Sequence, residues 1–125
     1  EPVLNNEGVN GNYLSSEGKE GGDVWGTRAQ WMKLYGEIKD TPVAIAIIDH
    51  PQNPGYPTYW HARTYGLFAA NTLGQKVFSD GKEQLNYRLT PGEEVTFRYR
   101  MVVSGGDQLS PEQISALAED FKRVL

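Results

Sequence analysis

The segment His50–Tyr65 concentrates the side chains most able to bind or transform a ligand. Its sixteen residues contain both histidines of the chain, three of its seven prolines, Arg63 and four aromatic residues, namely Tyr56, Tyr59, Trp60 and Tyr65. Flat aromatic surfaces beside hydrogen-bonding groups suit a sugar ring or another polar ligand with an apolar face. We therefore predict a ligand-binding surface that includes Tyr59, Trp60 and Tyr65, with packing in the core as the alternative for each ring.

His61, His50 and Arg63 are the candidate catalytic residues. His61 lies between Trp60 and Arg63, and an imidazole titrates near neutral pH, which suits proton transfer. His50 precedes a proline at a strand end, a position that also favours a hydrogen-bonded structural histidine. Asp49, His50 and His61 form the only local set resembling a non-haem iron triad. Neighbours in a strand point to opposite faces, so Asp49 and His50 converge poorly, and we expect no metal ion and no cofactor.

A second cluster of candidate ligand-binding residues lies at Trp25–Trp31. Arg28 and Gln30 have the same parity along a strand, so both can project from one face while Trp31 takes the other. Arg28 could hold a carboxylate or a sugar hydroxyl, and the alternative is a surface ion pair. Trp25 joins it as a candidate ligand-binding aromatic residue.

The elements that must position these residues are mostly strands. Residues 1–23 are predicted to form a glycine-rich loop region with at most one short strand near Tyr13. Residues 24–106 carry the alternation of an antiparallel β domain, and residues 107–125 form an amphipathic helix that Ser110 caps, with Pro111 at the first helical position. These patterns predict an all-β fold, most simply an antiparallel sandwich or half of one, closed by one C-terminal helix.

Individual strands follow from the same alternation. We predict strands over 27–38, 43–48, 59–69 and 94–103, and a hairpin that joins 76–78 to 84–89. The second strand is apolar on both faces, which indicates an interior position. Three prolines favour an extended loop over 49–57. In the last strand we expect Val95, Phe97, Tyr99 and Met101 to face the core, and Arg98 and Arg100 to face solvent.

Composition excludes several classes of function. The 125 residues include 12 Lys and Arg against 16 Asp and Glu, a net charge of −4, so no basic stripe is available for a nucleic-acid backbone. The longest apolar run, Val43–Ile48, is too short to cross a membrane. The chain has no cysteine, which excludes disulfides and thiol nucleophiles. Because it begins at Glu1 rather than Met, we expect a processed or trimmed chain.

Motifs spread over residues 5–106 carry a family resemblance. They are Asn6-Glu7-Gly8, Val24-Trp25-Gly26-Thr27-Arg28-Ala29, Ala46–Pro54 with its Asp-His-Pro, Trp60–Asn71 with its Trp-His-x-Arg, and Arg98-Tyr99-Arg100. Together they resemble the C-terminal half of a bacterial β-sandwich family of unknown function that has been labelled methane-oxygenase-like. The resemblance implies proteins about twice this length, often exported and associated with sugar-catabolic genes.

The resemblance also implies a divided active site. Members of the family carry a His-rich motif in an N-terminal half, and no such motif occurs in this chain. If the site is shared between halves, the contributions of this chain would be His50, His61 and Arg63, with Trp60 as a stacking surface. The methane-oxygenase label transfers poorly, because a membrane oxygenase needs membrane-spanning helices.

Three functions are compatible with these observations. The first is the C-terminal portion of an exported protein, periplasmic or secreted, that binds or processes a carbohydrate or another small polar ligand. The second is a non-catalytic structural or interaction module that docks onto a second polypeptide or the missing N-terminal half. The third is a metal-dependent oxygenase.

Overall fold

A computed structural model describes residues 10–124 of the chain. Its strands are β1 Asn12–Ser15, β2 Trp31–Ile38, β3 Thr41–Asp49, β4 Tyr59–Ala62, β5 Phe68–Asn71 and β6 Tyr99–Gly105. Its helices are a single turn, α1 Gln75–Phe78, and a longer C-terminal one, α2 Pro111–Phe121, with a 3₁₀ turn at Gly21–Val24. The predicted all-β class with one C-terminal helix is confirmed.

The strands form two antiparallel sheets. The larger sheet has the order β1-β2-β3-β6, and the smaller sheet pairs β4 with β5. Strands β2 and β3 are joined by a two-residue turn in which Lys39 and Asp40 both have positive φ, as tight hairpin turns require. Strand β3 is hydrogen-bonded to β2 on one edge and to β6 on the other. Its predicted interior position is therefore confirmed.

The large sheet is covered on both faces. On one face α2 packs Ile114, Ala118 and Phe121 against the sheet, where Trp31 and the alternate β3 residues Ala44, Ala46 and Ile48 are buried. On the other face Met32 and Leu34 of β2 meet Trp60 and Ala62 of the smaller sheet, together with Tyr13, Val24 and Ala29. The two sheets thus enclose one apolar cluster, and the helix and large sheet enclose another.

Helix α2 begins as its sequence predicts. The Ser110 side chain accepts a hydrogen bond from the Gln113 N–H at 3.1 Å, and the Gln113 side chain accepts one from the Ser110 N–H at 2.7 Å. This reciprocal capping box satisfies two amide groups that a helix start leaves unpaired. Lys33, buried in β2, donates to the carbonyl groups of Leu109 and Gln108. The chain entering the helix is thereby fixed to the sheet.

Several predicted strands differ in the structure. The segment 59–69 is a hairpin, because Arg63 donates to the Leu67 carbonyl and the chain reverses between β4 and β5. Residues 76–78 belong to α1, and residues 84–89 form no strand. The last strand begins at Tyr99 rather than at residue 94. Residues 84–89 and 94–98 carry an alternating pattern but have no neighbouring strand with which to form a ladder.

The loop over 49–57 and the facing of β6 also differ from prediction. The loop is a pair of tight turns, in which Asn53 donates to the His50 carbonyl and Tyr56 to the Asn53 carbonyl, so it is not extended. Tyr99 and Met101 are exposed at 39% and 65%. Arg100 lies on the helix side and pairs with Asp120 at 2.9 Å. Helix α2 covers the face that carries Arg100 because the small β3 residues on that face leave room for it.

Tyr13 ties β1 to the turn between β4 and β5. Its hydroxyl donates to the carbonyl oxygens of Arg63 and Leu67, both at 2.9 Å. Burial raises the pKa of Tyr13 to about 12, with a further contribution from Tyr65. The neutral phenol is therefore the form that the folded protein favours.

We expect Tyr13→Phe to lower the free energy of unfolding by about 1–2 kcal/mol at neutral pH, because the carbonyl groups of Arg63 and Leu67 each lose one of their two donors. The raised pKa means that the stabilisation by Tyr13 is complete below pH 10 and is lost as the pH rises towards 12. Urea unfolding of both proteins at pH 7 and above pH 10 measures this difference. A difference that grows with pH would contradict the assignment.

Candidate functional site

Four aromatic side chains from three parts of the chain meet beside β4. Phe78, at the end of α1, contacts Trp25 at 5.4 Å, His61 at 5.5 Å and Tyr59 at 5.8 Å between ring centroids. Trp25 and His61 are 6.5 Å apart and nearly perpendicular. Trp25 is 36% exposed, whereas Tyr59, which stacks on Phe78, is buried. The exposed indole of Trp25 thus packs on buried or half-buried rings, and we call the rings of Tyr59, His61 and Phe78 the aromatic base.

Backbone hydrogen bonds fix Trp25 beside the strand. Gly26 donates to the Trp60 carbonyl at 2.9 Å, and Trp60 donates to the Thr27 carbonyl at 3.0 Å. Gly26 has a φ of 68°, a conformation that glycine adopts without strain. The chain can therefore leave the 3₁₀ turn and run along β4, placing the indole over Phe78.

Arg63 lies on the indole of Trp25. Its guanidinium carbon is 4.6 Å from the ring centroid, a cation–π geometry. The Arg63 main chain is held by its bond to Leu67 and by the hydroxyl of Tyr13. We call Trp25, His61, Arg63 and Phe78 together the Trp25 surface; it unites three predicted site residues with one that the sequence did not indicate.

Arg28 is engaged by the protein itself. It pairs with Glu83 through Nε and Nη2, at 3.3 and 3.2 Å, and donates from Nη1 to the carbonyl groups of Gly55 and Pro57. Its guanidinium also lies 4.8 Å from the Tyr59 ring centroid. The ion-pair alternative considered for Arg28 describes this arrangement, in which every guanidinium nitrogen already donates to a group of the protein.

Glu83 links Arg28 to Tyr59. The Tyr59 hydroxyl donates to a Glu83 carboxylate oxygen. This hydrogen bond, followed by the charge of Arg28, lowers the pKa of Glu83, while burial and the same hydrogen bond raise the pKa of Tyr59. At neutral pH the three groups form a neutral phenol, a carboxylate and a guanidinium. These three groups stabilise the position of Tyr59 in the cluster and do not themselves form a ligand-binding site.

Trp60 lies in the core with no exposed surface. Its indole N–H donates to the Ala29 carbonyl at 2.9 Å, so the structure offers no face of this ring to a ligand. His50 is equally buried. Its Nε2 lies 2.6 Å from the Val124 carbonyl, and its Nδ1 accepts from the Gln52 N–H at 3.0 Å. The proton is therefore on Nε2, and His50 joins the turn after β3 to the C-terminal segment.

Asp49 anchors the turns that follow β3. Its carboxylate accepts from the Asn53 side chain at 2.7 Å and from the Thr58 N–H at 2.9 Å. Burial raises the pKa of Asp49, and these hydrogen bonds partly oppose the shift. Asp49 therefore faces the interior of the turns and stabilises them.

The remaining groups do not assemble a metal centre. Within residues 10–124, no group of three or more histidine, aspartate or glutamate side chains is placed to hold a metal ion. Tyr65 is 61% exposed in the turn between β4 and β5, two residues beyond Arg63. It is a neighbour of the Trp25 surface along the chain, and among the residues that the structure describes no aromatic contact places its ring in the cluster.

Two residues that shape the site escaped sequence reasoning. The sequence predicts a hairpin strand at Phe78, and no motif surrounds Glu83. Both approach β4 only because the chain after β5 folds back through α1. The one local signal is Gly74, whose close approach to Phe78 leaves no room for a side chain.

Comparison with known proteins identifies a family but no characterised relative. The family model described as "Family of unknown function (DUF6807)" matches residues 3–119. No curated protein and no solved structure matches the chain. The family description gives no activity, so it does not link the chain to methane oxygenases, carbohydrates or export. Within the described residues, no helix is long and apolar enough to cross a membrane.

Gly74 offers a test of the aromatic base. A Cβ at this position would lie 2.6 Å from Cε2 of Phe78 and 2.8 Å from its Cδ2, so Gly74→Ala must displace the ring. We expect a loss of about 1–3 kcal/mol in unfolding free energy, as overpacking usually costs, and an altered near-ultraviolet circular dichroism spectrum. Gly105→Ala is the matched control, because nothing lies within 4 Å of its added Cβ. Equal effects of both substitutions would contradict the placement of Phe78.

Proposed function

The chain belongs to the family of unknown function DUF6807, and we propose that it binds a carbohydrate at the Trp25 surface. The observation that carries this proposal is a partly exposed indole that packs on Phe78 and His61 and has the guanidinium of Arg63 stacked on its ring. Sugars present an apolar ring face edged with hydroxyl groups, which aromatic rings and polar side chains recognise together.

The arrangement supports binding more directly than catalysis. Proton transfer by a histidine usually needs an orienting partner that fixes its tautomer. Among the described residues, His61 makes no hydrogen bond through its ring. Our proposal is therefore a binding surface in which His61 contacts the ligand. Export to the periplasm or the medium stays a prediction that accords with this role.

We expect Trp25→Ala to weaken saccharide binding by about tenfold or more, a change of about 1.4 kcal/mol. A glycan array identifies a ligand, and isothermal titration calorimetry compares the variants. Tyr87→Ala is the matched control, because Tyr87 is also an exposed aromatic residue, at 42%, but lies outside the Trp25 surface. Unchanged affinity of Trp25→Ala, or no binding to any glycan, would overturn the proposed site.

A second candidate function, an interaction module, rests on the free edge of β6. His50 donates to the Arg98 carbonyl and Gly106 to the Pro42 carbonyl, so the even-numbered residues of β6 face β3. The backbone groups of Tyr99, Met101, Val103 and Gly105 therefore point away from the sheet. The first three also expose their side chains, by 39%, 65% and 73%.

The segment before β6 leaves further backbone groups unpaired. Over residues 84–97, the only backbone-to-backbone hydrogen bond with described residues joins the Glu93 N–H to the Thr90 carbonyl. An edge strand with unpaired backbone and exposed apolar side chains favours addition of another strand. We propose a second copy of the chain as the partner. Antiparallel pairing of residues 99–105 with themselves would set Arg100 opposite Ser104 of the second copy, so no like charges meet.

We expect the protein to form a dimer as its concentration rises, and Val103→Lys to weaken that dimer at least tenfold, because a lysine on an edge strand opposes pairing. Sedimentation equilibrium measures both. Val77→Lys is the control, since Val77 is an equally exposed valine, at 76%, outside the large sheet. A monomer at every concentration, or equal effects of the two lysines, would contradict this interface.

A further inference from the structure

We propose that the ligand of the Trp25 surface is an acidic sugar, whose carboxylate binds the guanidinium of Arg63. This inference rests on the proposed carbohydrate function and extends it to the class of ligand. A hexuronic acid residue combines a sugar ring with one planar carboxylate, and the Trp25 surface offers a complement to each part.

Arg63 differs from the arginines that serve the fold. Arg28 has all of its guanidinium nitrogens engaged, and Arg100 pairs with Asp120. Arg63 is exposed, and within residues 10–124 its side chain makes neither an ion pair nor a hydrogen bond. Its N–H groups are therefore available to a ligand.

The contact with Trp25 leaves those N–H groups usable. Stacking on an aromatic ring uses the flat face of a guanidinium, whereas its hydrogen-bond donors lie in the plane and at the edge. A carboxylate approaching that edge can accept two parallel hydrogen bonds, the strongest arrangement for this pair of groups. The indole thus restricts the guanidinium without competing for its donors.

The main chain beneath Arg63 is also fixed. The Arg63 N–H donates to the Leu67 carbonyl at 2.9 Å, and the Arg63 carbonyl accepts from Gly66 at 3.0 Å and from the Tyr13 hydroxyl. A cation that is held at both its base and its guanidinium loses little conformational entropy when it binds an anion. This preorganisation favours a specific contact with the carboxylate. General electrostatic attraction does not draw an anion to the protein, because the net charge of the chain is −4.

The test compares trigalacturonate with its fully methyl-esterified form, which keeps the ring and removes the charge. Calorimetry on the wild-type protein is expected to show at least tenfold tighter binding of the acid. Arg63→Gln should abolish that preference and Arg63→Lys should retain part of it, because an ammonium group keeps the charge but loses the paired donors. Arg88→Gln, which alters another exposed arginine, should leave the preference intact.

The outcomes separate this inference from the proposed function. Equal affinity for acid and ester, lost in Trp25→Ala, would overturn the acidic-sugar assignment and leave carbohydrate binding in place. A preference that persists in Arg63→Gln would also overturn it, since the carboxylate would then bind elsewhere. Failure of the wild-type protein to bind these probes or any saccharide of a glycan array would overturn the proposed function itself.

Discussion

The structure depends on β3 being paired along both edges while its faces are covered by different elements. Its small residues Ala44 and Ala46 let α2 approach one face of the sheet, and Ile47 packs towards the smaller sheet on the other. The strand ends at Asp49, whose buried carboxylate organises the turns that lead to β4. The position of β4, and with it the position of His61 and Arg63, follows from that strand and its C-terminal end.

The site and the core share β4 because successive side chains of a strand point to opposite sides. Trp60 points inward and fills the space between the sheets, whereas Tyr59 and His61 point towards Phe78 and Trp25. The burial of Trp60 thus determines that Tyr59 and His61 point to the opposite side of the strand. A binding surface built on a strand in this way is more rigid than one built on a loop, and Tyr13 extends that rigidity to the turn carrying Arg63.

Features with local causes could be predicted from the sequence. The capping box at Ser110 and the interior position of β3 depend on neighbouring residues, and both are confirmed. The facing of β6 could not be predicted, because its more apolar face, with Met101 and Val103, stays exposed, and the packing of α2 covers the face that carries Arg100 and Val102. The predicted hairpin at 76–89 had turn residues and alternation but lacks a strand with which to pair.

The candidate site could also be predicted only in part, because residue types are visible in the sequence whereas their facing depends on packing. Aromatic and basic residues concentrated in one segment indicated the region around β4, and Trp25, His61 and Arg63 do meet there. The alternation of β4 could not reveal which ring faces inward, so Trp60 and His61 were indistinguishable until the sheets were placed. Phe78 was missed because its contact with Trp25 spans more than fifty residues of chain.

The most direct measurement is a titration of ¹⁵N-labelled protein with trigalacturonate, following the indole N–H signals of the three tryptophans by nuclear magnetic resonance. Trp31 and Trp60 are buried, at 2% and 0% exposure, and serve as internal controls in the same spectrum. Binding at the Trp25 surface predicts a saturable shift of the Trp25 signal alone. A Trp25 signal that stays unchanged, or shifts no more than those of Trp31 and Trp60, would contradict it.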